Sequence, residues 1–297
     1  MSRHTAELRH QTLLRTINMP LKHRAHLFEF EDLPGLPTFI RRGITDLLEY
    51  QLNHYRIYDA LAPKLAALVE GQGENSELVD LCSGSAGPVR RLSFLLWAQT
   101  GIFPKVLLTD KFPNFQAFER ISQASGGRIR FLTQSVDATD VPPQAVGLRT
   151  IFTAFHHFRP AAAQRILADA AAKQAPIAIF EFTSRTWSNL FKAALLGPFL
   201  VWFDTASIRP FSFSRTFFTY IVPIIPICYA WDAFASHYRT YSPTELQALV
   251  AGLSCRDYIW DIGQQSASTS GFTLTYLIGR PATSNDLGLA KIAPETV

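Results

Sequence analysis

One stretch, Leu78 to Leu92 (LVDLCSGSAGPVRRL), constrains the fold more than any other part of the chain. Its apolar start, with Asp80 near the end of the run, is typical of a short buried strand. The small residues 83–87 that follow allow the backbone to turn sharply and to approach a ligand closely. Pro88 suits the opening turn of a helix, where its missing N–H is no loss. The stretch therefore predicts the strand, turn and helix N-terminus of a nucleotide-binding corner, or else a plain tight turn of similar composition.

Composition bounds the class of protein. A chain of 297 residues with 47% apolar content can bury a large core. The net charge of +4 is spread along the chain, so no nucleic-acid partner is expected. Cys82, Cys228 and Cys255 lack metal-ligand spacing, so neither a metal site nor a disulfide framework is predicted and a reducing cytoplasm fits best. The N-terminal residues lack the uninterrupted apolar core of a signal peptide.

The remaining apolar runs alternate with helical patterns, which predicts a mostly parallel sheet with helices on both faces. After the first strand, strands are predicted at Lys105–Asp110, Ile129–Gln134, Arg149–Phe155, Pro176–Phe182, Asp257–Gly263 and Gly271–Gly279. The residues SPTE from Ser242 predict a capping box at the start of the last helix. The first residues, from Ser2 to about Pro63, have a helical pattern that includes one long helix over Thr38–Tyr58.

Two acids follow predicted strands at positions where a nucleoside would be bound. Asp110 ends the second strand, about twenty residues beyond the turn, where a carboxylate accepts hydrogen bonds from both ribose hydroxyls. Asp137 follows the third strand, with Ala138 behind it, and could bind the exocyclic amine of an adenine. The fourth strand runs into AFHHF, which places His156 and His157 at the ligand-binding edge of the sheet.

These elements, in this order, resemble the class I S-adenosylmethionine-dependent methyltransferases over about Leu78–Arg280, and the resemblance implies a seven-stranded Rossmann-like α/β fold. It implies S-adenosylmethionine as the cofactor, with the turn holding its methionine part. The implied cofactor-binding residues are Asp80, Cys82, Ser83, Gly84, Ser85, Asp110, Lys111, Asp137, Ala138 and Phe155. The family loop usually has three glycines, whereas Cys82 and Ala86 stand at the first and third positions here. The HHF ending is similar to one frequent among small-molecule and quinone methyltransferases.

Methyl transfer from a sulfonium is an in-line displacement, so alignment in a dry site supplies much of the catalysis. His156 or His157 is the candidate base if the acceptor arrives protonated; the alternative is that the pair only packs beside the cofactor. Two other functions stay open: a non-catalytic protein that binds S-adenosylmethionine, and an oxidoreductase of the NAD type.

A long apolar stretch, residues 186–241, interrupts the alternation of strands and helices. It predicts a lid over a small, hydrophobic or aromatic acceptor. The residues expected to contact the acceptor are Tyr55, Trp231, Asp232, His237 and Arg239. A homodimer interface or a membrane-docking surface would use the same composition. Its most apolar run, Phe217–Trp231, is too short to span a bilayer and contains two prolines.

The predicted organisation is thus a helical N-terminal extension over residues 1–70, a methyltransferase core over 71–185 and 242–281, the apolar insertion over 186–241, and a loose tail over 282–297. The expected location is the cytoplasm, with peripheral contact to a membrane as an open alternative.

Overall fold

A computed structural model describes residues 21, 23–73, 76–253, 255, 257–267, 273–283 and 286. The strands of this part of the chain form one sheet of seven in the order β3-β2-β1-β4-β5-β7-β6. They are β1 (Glu77–Asp80), β2 (Lys105–Leu108), β3 (Ile129–Phe131), β4 (Leu148–Phe152), β5 (Ile177–Glu181), β6 (Tyr258–Ser266) and β7 (Thr273–Pro281). β1 to β5 pair in parallel, whereas β7 runs antiparallel to both β5 and β6. The predicted fold class is confirmed.

Helices cover both faces of the sheet. They are α1 (Thr38–His54), α2 (Ala62–Glu70), α3 (Val89–Thr100), α4 (Phe115–Ala124), α5 (Pro160–Ala172) and, after the insertion, α9 (Pro243–Ala251). Side chains alternate along the buried strand β1, so Leu78 packs with α2 and α3 on one face and Val79 packs with α5 on the other. The predicted capping box is present at α9, where Ser242 accepts from the Glu245 N–H and the Glu245 side chain accepts from Ser242 N.

The prediction was less accurate around strand ends and near the N-terminus. The fourth strand ends at Phe152, and Phe155–His157 instead form a 3₁₀ turn. The long helix ends at His54 rather than Tyr58, and Phe39 in its first turn is 41% exposed. Residues 23–29 are not helical; they are held by long-range contacts such as those from Arg24 Nη2 to the carbonyls of His156 and Phe158. Residues 1–20 and most of the predicted tail lie outside the described part.

The apolar insertion folds into α6 (Trp187–Thr205), α7 (Phe213–Tyr220) and α8 (Ile224–Arg239). α6 and α8 pack against each other and against α1. In the described residues no single helix has the length and apolar character needed to cross a membrane; α7 and α8, which are bent by 79° relative to each other, reach that length and composition only when they are taken together. The insertion therefore forms a helical layer beside the sheet edge at which β1 and β4 end.

Candidate cofactor and acceptor sites

The turn after β1 contains four residues with positive φ. Gly84 and Gly87 have φ of 56° and 38°, while Cys82 and Ala86 have 57° and 73°. Glycine adopts this left-handed region freely, whereas a residue with a Cβ does so at a steric cost. Cys82 and Ala86 thus keep the backbone shape of a glycine turn.

Asp110, the predicted ribose carboxylate, lies directly against this turn. Its Oδ2 accepts from Gly84 N at 2.8 Å and its Oδ1 accepts from Phe112 N at 2.7 Å. Burial raises the pKa of Asp110, and these two N–H donors act in the opposite direction. Each carboxylate oxygen retains a lone pair for a ligand hydroxyl.

An open cavity of about 500 Å³, which we call the outer cavity, lies at the carboxyl ends of β1, β2 and β4. Six of the residues assigned to the cofactor line it: Cys82, Ser83, Gly84, Ser85, Asp110 and Lys111. The other four do not line it. Asp80 is buried and accepts from Thr150 Oγ1 at 2.8 Å, and burial raises its pKa to about 7. Ala138 and Phe155 pack in the core, and Asp137 lies beyond Lys111, whose Nζ is 3.2 Å from its Oδ2.

Helix α1 closes the outer cavity opposite the sheet. Ser85 Oγ lies 2.9 Å from Thr45 Oγ1 and 3.0 Å from Asp46 Oδ1, and Asn114 Nδ2 donates to Ser85 Oγ at 2.9 Å. Sequence reasoning missed Thr45 and Asp46. The sequence feature that could have identified them is a pair of adjacent polar residues beside the buried positions of an amphipathic helix.

A second cavity of about 260 Å³, the inner cavity, lies between the sheet edge, α1 and the helices of the insertion. Most of its wall is apolar, and its polar side chains include Glu29, Glu31, His156, His157, Asp232 and His237. The inner and outer cavities share Glu31, Leu48, Leu52, Thr153 and His157. Two ligands bound in them would therefore meet at the end of β4.

Thr153 marks this junction. Its φ of 50° is unusual for a β-branched residue, and strained backbone of this kind is often found where ligands bind. Its hydroxyl contacts the hydroxyl of Tyr58, which also donates to the Phe180 carbonyl at 3.1 Å. Burial raises the pKa of Tyr58 well above its usual value, so the phenol stays protonated.

The two adjacent histidines differ in environment. His156 is 1% exposed and its Nδ1 lies 2.9 Å from Glu181 Oε2. His157 lines both cavities and its Nδ1 lies 2.8 Å from Asp32 Oδ1. Burial lowers the pKa of His157, but Glu29 and Asp32 outweigh that effect and raise it to about 9. At neutral pH His157 is therefore an imidazolium and must lose a proton before it can act as a base.

The residues predicted to contact the acceptor fall into two groups. Tyr55, Asp232 and His237 line the inner cavity. Burial lowers the pKa of His237 to about 4, so its ring is neutral and Nδ1 accepts from Ser184 N at 3.0 Å. In the described part of the chain, Trp231 and Arg239 do not line that cavity. Trp231 lies in a groove on the outer side of α8. Arg239 is fully buried, with Nη1 2.6 Å from Asp32 Oδ2.

The order of the strands and the antiparallel closing pair define the fold of the class I S-adenosylmethionine-dependent methyltransferases. No protein-family model matches the chain, and no curated protein matches it. Its fold is similar to solved structures that share little sequence with it. The pyocyanin biosynthetic protein PhzM is 12% identical with a TM-score of 0.45, the alignment covering 78% of this chain and 56% of that one. This chain therefore spans little more than half of the length of that neighbour.

Two further solved structures are similar to this chain with comparably low sequence identity and TM-score. Magnesium protoporphyrin IX methyltransferase from Synechocystis is 10% identical, with a TM-score of 0.41 over 84% of this chain and 87% of that one. A Rhodobacter sphaeroides chain described as a zinc-dependent alcohol dehydrogenase is 11% identical, with a TM-score of 0.47 over 83% and 100%.

Proposed function

We propose that this chain transfers a methyl group from S-adenosylmethionine to a small, apolar or aromatic acceptor by in-line displacement. One observation carries the proposal: an outer cavity at the glycine-like turn adjoins a mostly apolar inner cavity, with Thr153 between them. A donor in one cavity and an acceptor in the other would place the two reacting atoms at a common boundary.

The outer cavity fits the cofactor through its backbone turn and one carboxylate. The small residues Ser83 to Ser85 would leave room for the methionine part, and Asp110, which lines the outer cavity, would accept from the ribose hydroxyls. Asp137 at the rim remains our proposed contact for the adenine amine.

The inner cavity supports an apolar acceptor of modest size. Ile44, Leu52 and Leu196 contribute to its apolar wall, and the polar side chains could orient a single head group. Alignment and exclusion of water then supply most of the rate enhancement. A base at His156 or His157 remains a proposal, and the raised pKa of His157 makes that residue the weaker candidate.

Calorimetric titration of the full chain with S-adenosylmethionine, beside NADH, tests the cofactor assignment. We expect S-adenosylmethionine to bind and Asp110→Ala to weaken it at least tenfold. Asp140→Ala, at an acid whose side chain is 89% exposed, is the matched control and should bind normally. Binding of NADH alone would favour an oxidoreductase instead.

Turnover on a panel of phenols, quinones, thiols and amines tests the acceptor. Apolar aromatic acceptors should be methylated fastest. Preference for charged, hydrophilic acceptors would contradict the apolar cavity, and cofactor binding without turnover on any acceptor would favour the non-catalytic alternative.

A further inference from the structure

The imidazoles of His156 and His157 both direct Nε2 towards the carboxylate of Glu29. His156 Nε2 lies 3.8 Å from Glu29 Oε1, and His157 Nε2 lies 3.4 Å from Glu29 Oε2. One ligand atom from each residue can be chosen so that all three lie within 4.8 Å of one another. Two of the three residues, Glu29 and His156, are only 1% exposed.

A carboxylate holds the opposite nitrogen of each ring. Glu181 contacts His156 Nδ1 and Asp32 contacts His157 Nδ1, at 2.9 and 2.8 Å. Such partners hold a proton on Nδ1, so Nε2 of His156 directs a lone pair at the centre of the cluster, and Nε2 of His157 does so once a bound metal displaces its proton. This is the arrangement in which histidines bind metals, with an outer carboxylate that orients each ring.

Two atoms of the cluster lack hydrogen-bond partners. Within the described residues, His156 Nε2 and Glu29 Oε1 are buried and make no hydrogen bond. Arg239 Nη1 is 2.9 Å from Glu29 Oε1, an ion pair outside hydrogen-bond geometry. A buried polar atom without a hydrogen bond is unfavourable unless a ligand satisfies it.

The charges around the cluster also favour a bound cation. Three carboxylates, from Glu29, Asp32 and Glu181, contact the two rings, and the cations paired with them are the guanidinium of Arg239 and the imidazolium of His157. A divalent cation that displaced the His157 proton would balance these charges in full.

We propose that Glu29, His156 and His157 bind a divalent transition metal ion, with open coordination positions facing the inner cavity that they line. Two imidazole nitrogens and one carboxylate suit Zn²⁺, Fe²⁺ or Co²⁺. Metal–ligand bonds of about 2.1 Å in tetrahedral geometry separate ligand atoms by roughly 3.4 Å, close to the distances seen here. On the proposed function, an oxygen or sulfur of the acceptor would occupy an open position and be held at the boundary with the outer cavity, where the metal rather than a histidine base would favour its deprotonated form.

Metal binding is tested without cofactor or acceptor, so its outcome is separate from that of methyl transfer. The full chain, stripped with a chelator, is titrated with Zn²⁺ by calorimetry and with Co²⁺ by visible absorption. We expect one equivalent to bind, and Glu29→Gln and His156→Ala each to weaken binding at least a hundredfold. His54→Ala, at an exposed histidine on α1, is the control and should bind as the wild type does.

X-ray absorption at the cobalt edge keeps the test valid if a variant fails to fold. In the wild type it should show two imidazole ligands and oxygen ligands. Absence of stoichiometric binding to the wild type, a spectrum without imidazole, or unchanged affinity in both folded variants would overturn the metal site.

A different observation supports a second inference, on the outer surface of the insertion. Large apolar side chains there are mostly exposed, and we call them the apolar face: Phe191, Phe199, Trp202, Phe203, Phe213 and Ile227. Phe199, Trp202 and Ile227 line one continuous groove between α6 and α8. Exposure of this extent marks an interaction surface.

The exposed charged side chains of residues 187–231, which include the apolar face, are positive. Between residues 187 and 231 the charged residues are Lys192, Asp204, Arg209 and Arg215. Asp204 and Arg215 are buried, which leaves the cations Lys192 and Arg209 exposed. Aromatic rings with nearby cations are the composition of surfaces that lie in an anionic membrane interface.

The face also connects with the inner cavity. Leu196 and Leu200 are exposed on α6 and line that cavity. We infer that the apolar face docks on an anionic lipid bilayer, and that a lipid-soluble molecule can pass from the bilayer into the inner cavity along α6.

Flotation of the full chain with vesicles of phosphatidylcholine, with and without phosphatidylglycerol, tests this docking. We expect binding to the anionic vesicles and an at least tenfold loss in Trp202→Glu/Phe203→Glu. The matched control is Phe94→Glu/Trp97→Glu, since these α3 aromatics are 51% and 54% exposed, and it should bind normally. Equal binding of both double variants would overturn the inference. The inference would also be overturned if the wild type did not bind vesicles and sedimented as a dimer that Trp202→Glu/Phe203→Glu dissociates. In that case a second copy of the chain would cover the face.

Discussion

At the scale of single residues, the turn after β1 shows how a family pattern can change without a change in backbone shape. Cys82 and Ala86 occupy the left-handed region that glycine favours. The sequence shows only that their side chains are small, because φ depends on the whole turn. A residue with a Cβ in this region is strained by about 1–2 kcal/mol.

Two substitutions of Cys82 separate backbone strain from side-chain chemistry. Cys82→Gly should change the free energy of unfolding by less than about 1 kcal/mol, because relief of strain offsets the greater freedom of glycine in the unfolded chain. Cys82→Val should lower it by about 2 kcal/mol or more, because a β-branched residue fits positive φ poorly. Urea unfolding measures both. Equal effects of the two substitutions would show that the positive φ is not maintained in solution.

At the scale of elements, α1 joins the turn to the insertion. Asp46 Oδ1 accepts from Ser85, while Asp46 Oδ2 lies 2.9 Å from Nη1 of Arg215 on α7. The strands were predictable because each is a local apolar run bounded by turn residues. The connection through α1 was not predictable, since Asp46 reads as an ordinary exposed helix residue until Arg215 is placed beside it.

Removal of the Asp46 charge should weaken both its hydrogen bond with Ser85 and its ion pair with Arg215. Because the Arg215 side chain is 4% exposed, Asp46→Asn leaves a buried guanidinium without its counter-charge and should destabilise the fold by about 3 kcal/mol. Binding of S-adenosylmethionine should weaken several-fold as the turn loses its support. The control is Asp261→Asn, which breaks a surface pair with Lys64 and should change stability by less than about 1 kcal/mol. If urea unfolding gave similar losses in the free energy of unfolding for the two variants, this role of α1 would be contradicted.

At the scale of the whole molecule, contacts between distant segments account for what sequence reasoning could not reach. Each strand, the turn and Asp110 follow from sequence patterns that each extend over about thirty residues or fewer. Glu29 and Asp32, by contrast, meet His156 and His157 from the far N-terminal side, and no local pattern in LFEFEDL indicates which distant residues these acids contact. Helix α6 is apolar on nearly every side, so its periodicity does not mark a helix, and composition predicted an apolar lid without its helical boundaries.

Stability of the whole molecule should depend on pH through His237. Its pKa is lowered to about 4 in the folded state by burial and is about 6.5 when unfolded, so between these values the unfolded chain binds the extra proton. This contribution is complete above pH 6.5 and is lost as the pH falls towards 4. Between pH 7 and pH 5 the wild type should lose about 2 kcal/mol more stability in urea unfolding than His237→Gln, which cannot titrate. His54→Gln, at an exposed ring, should follow the wild type. An identical pH dependence in wild type and His237→Gln would mean that His237 is already charged within the fold.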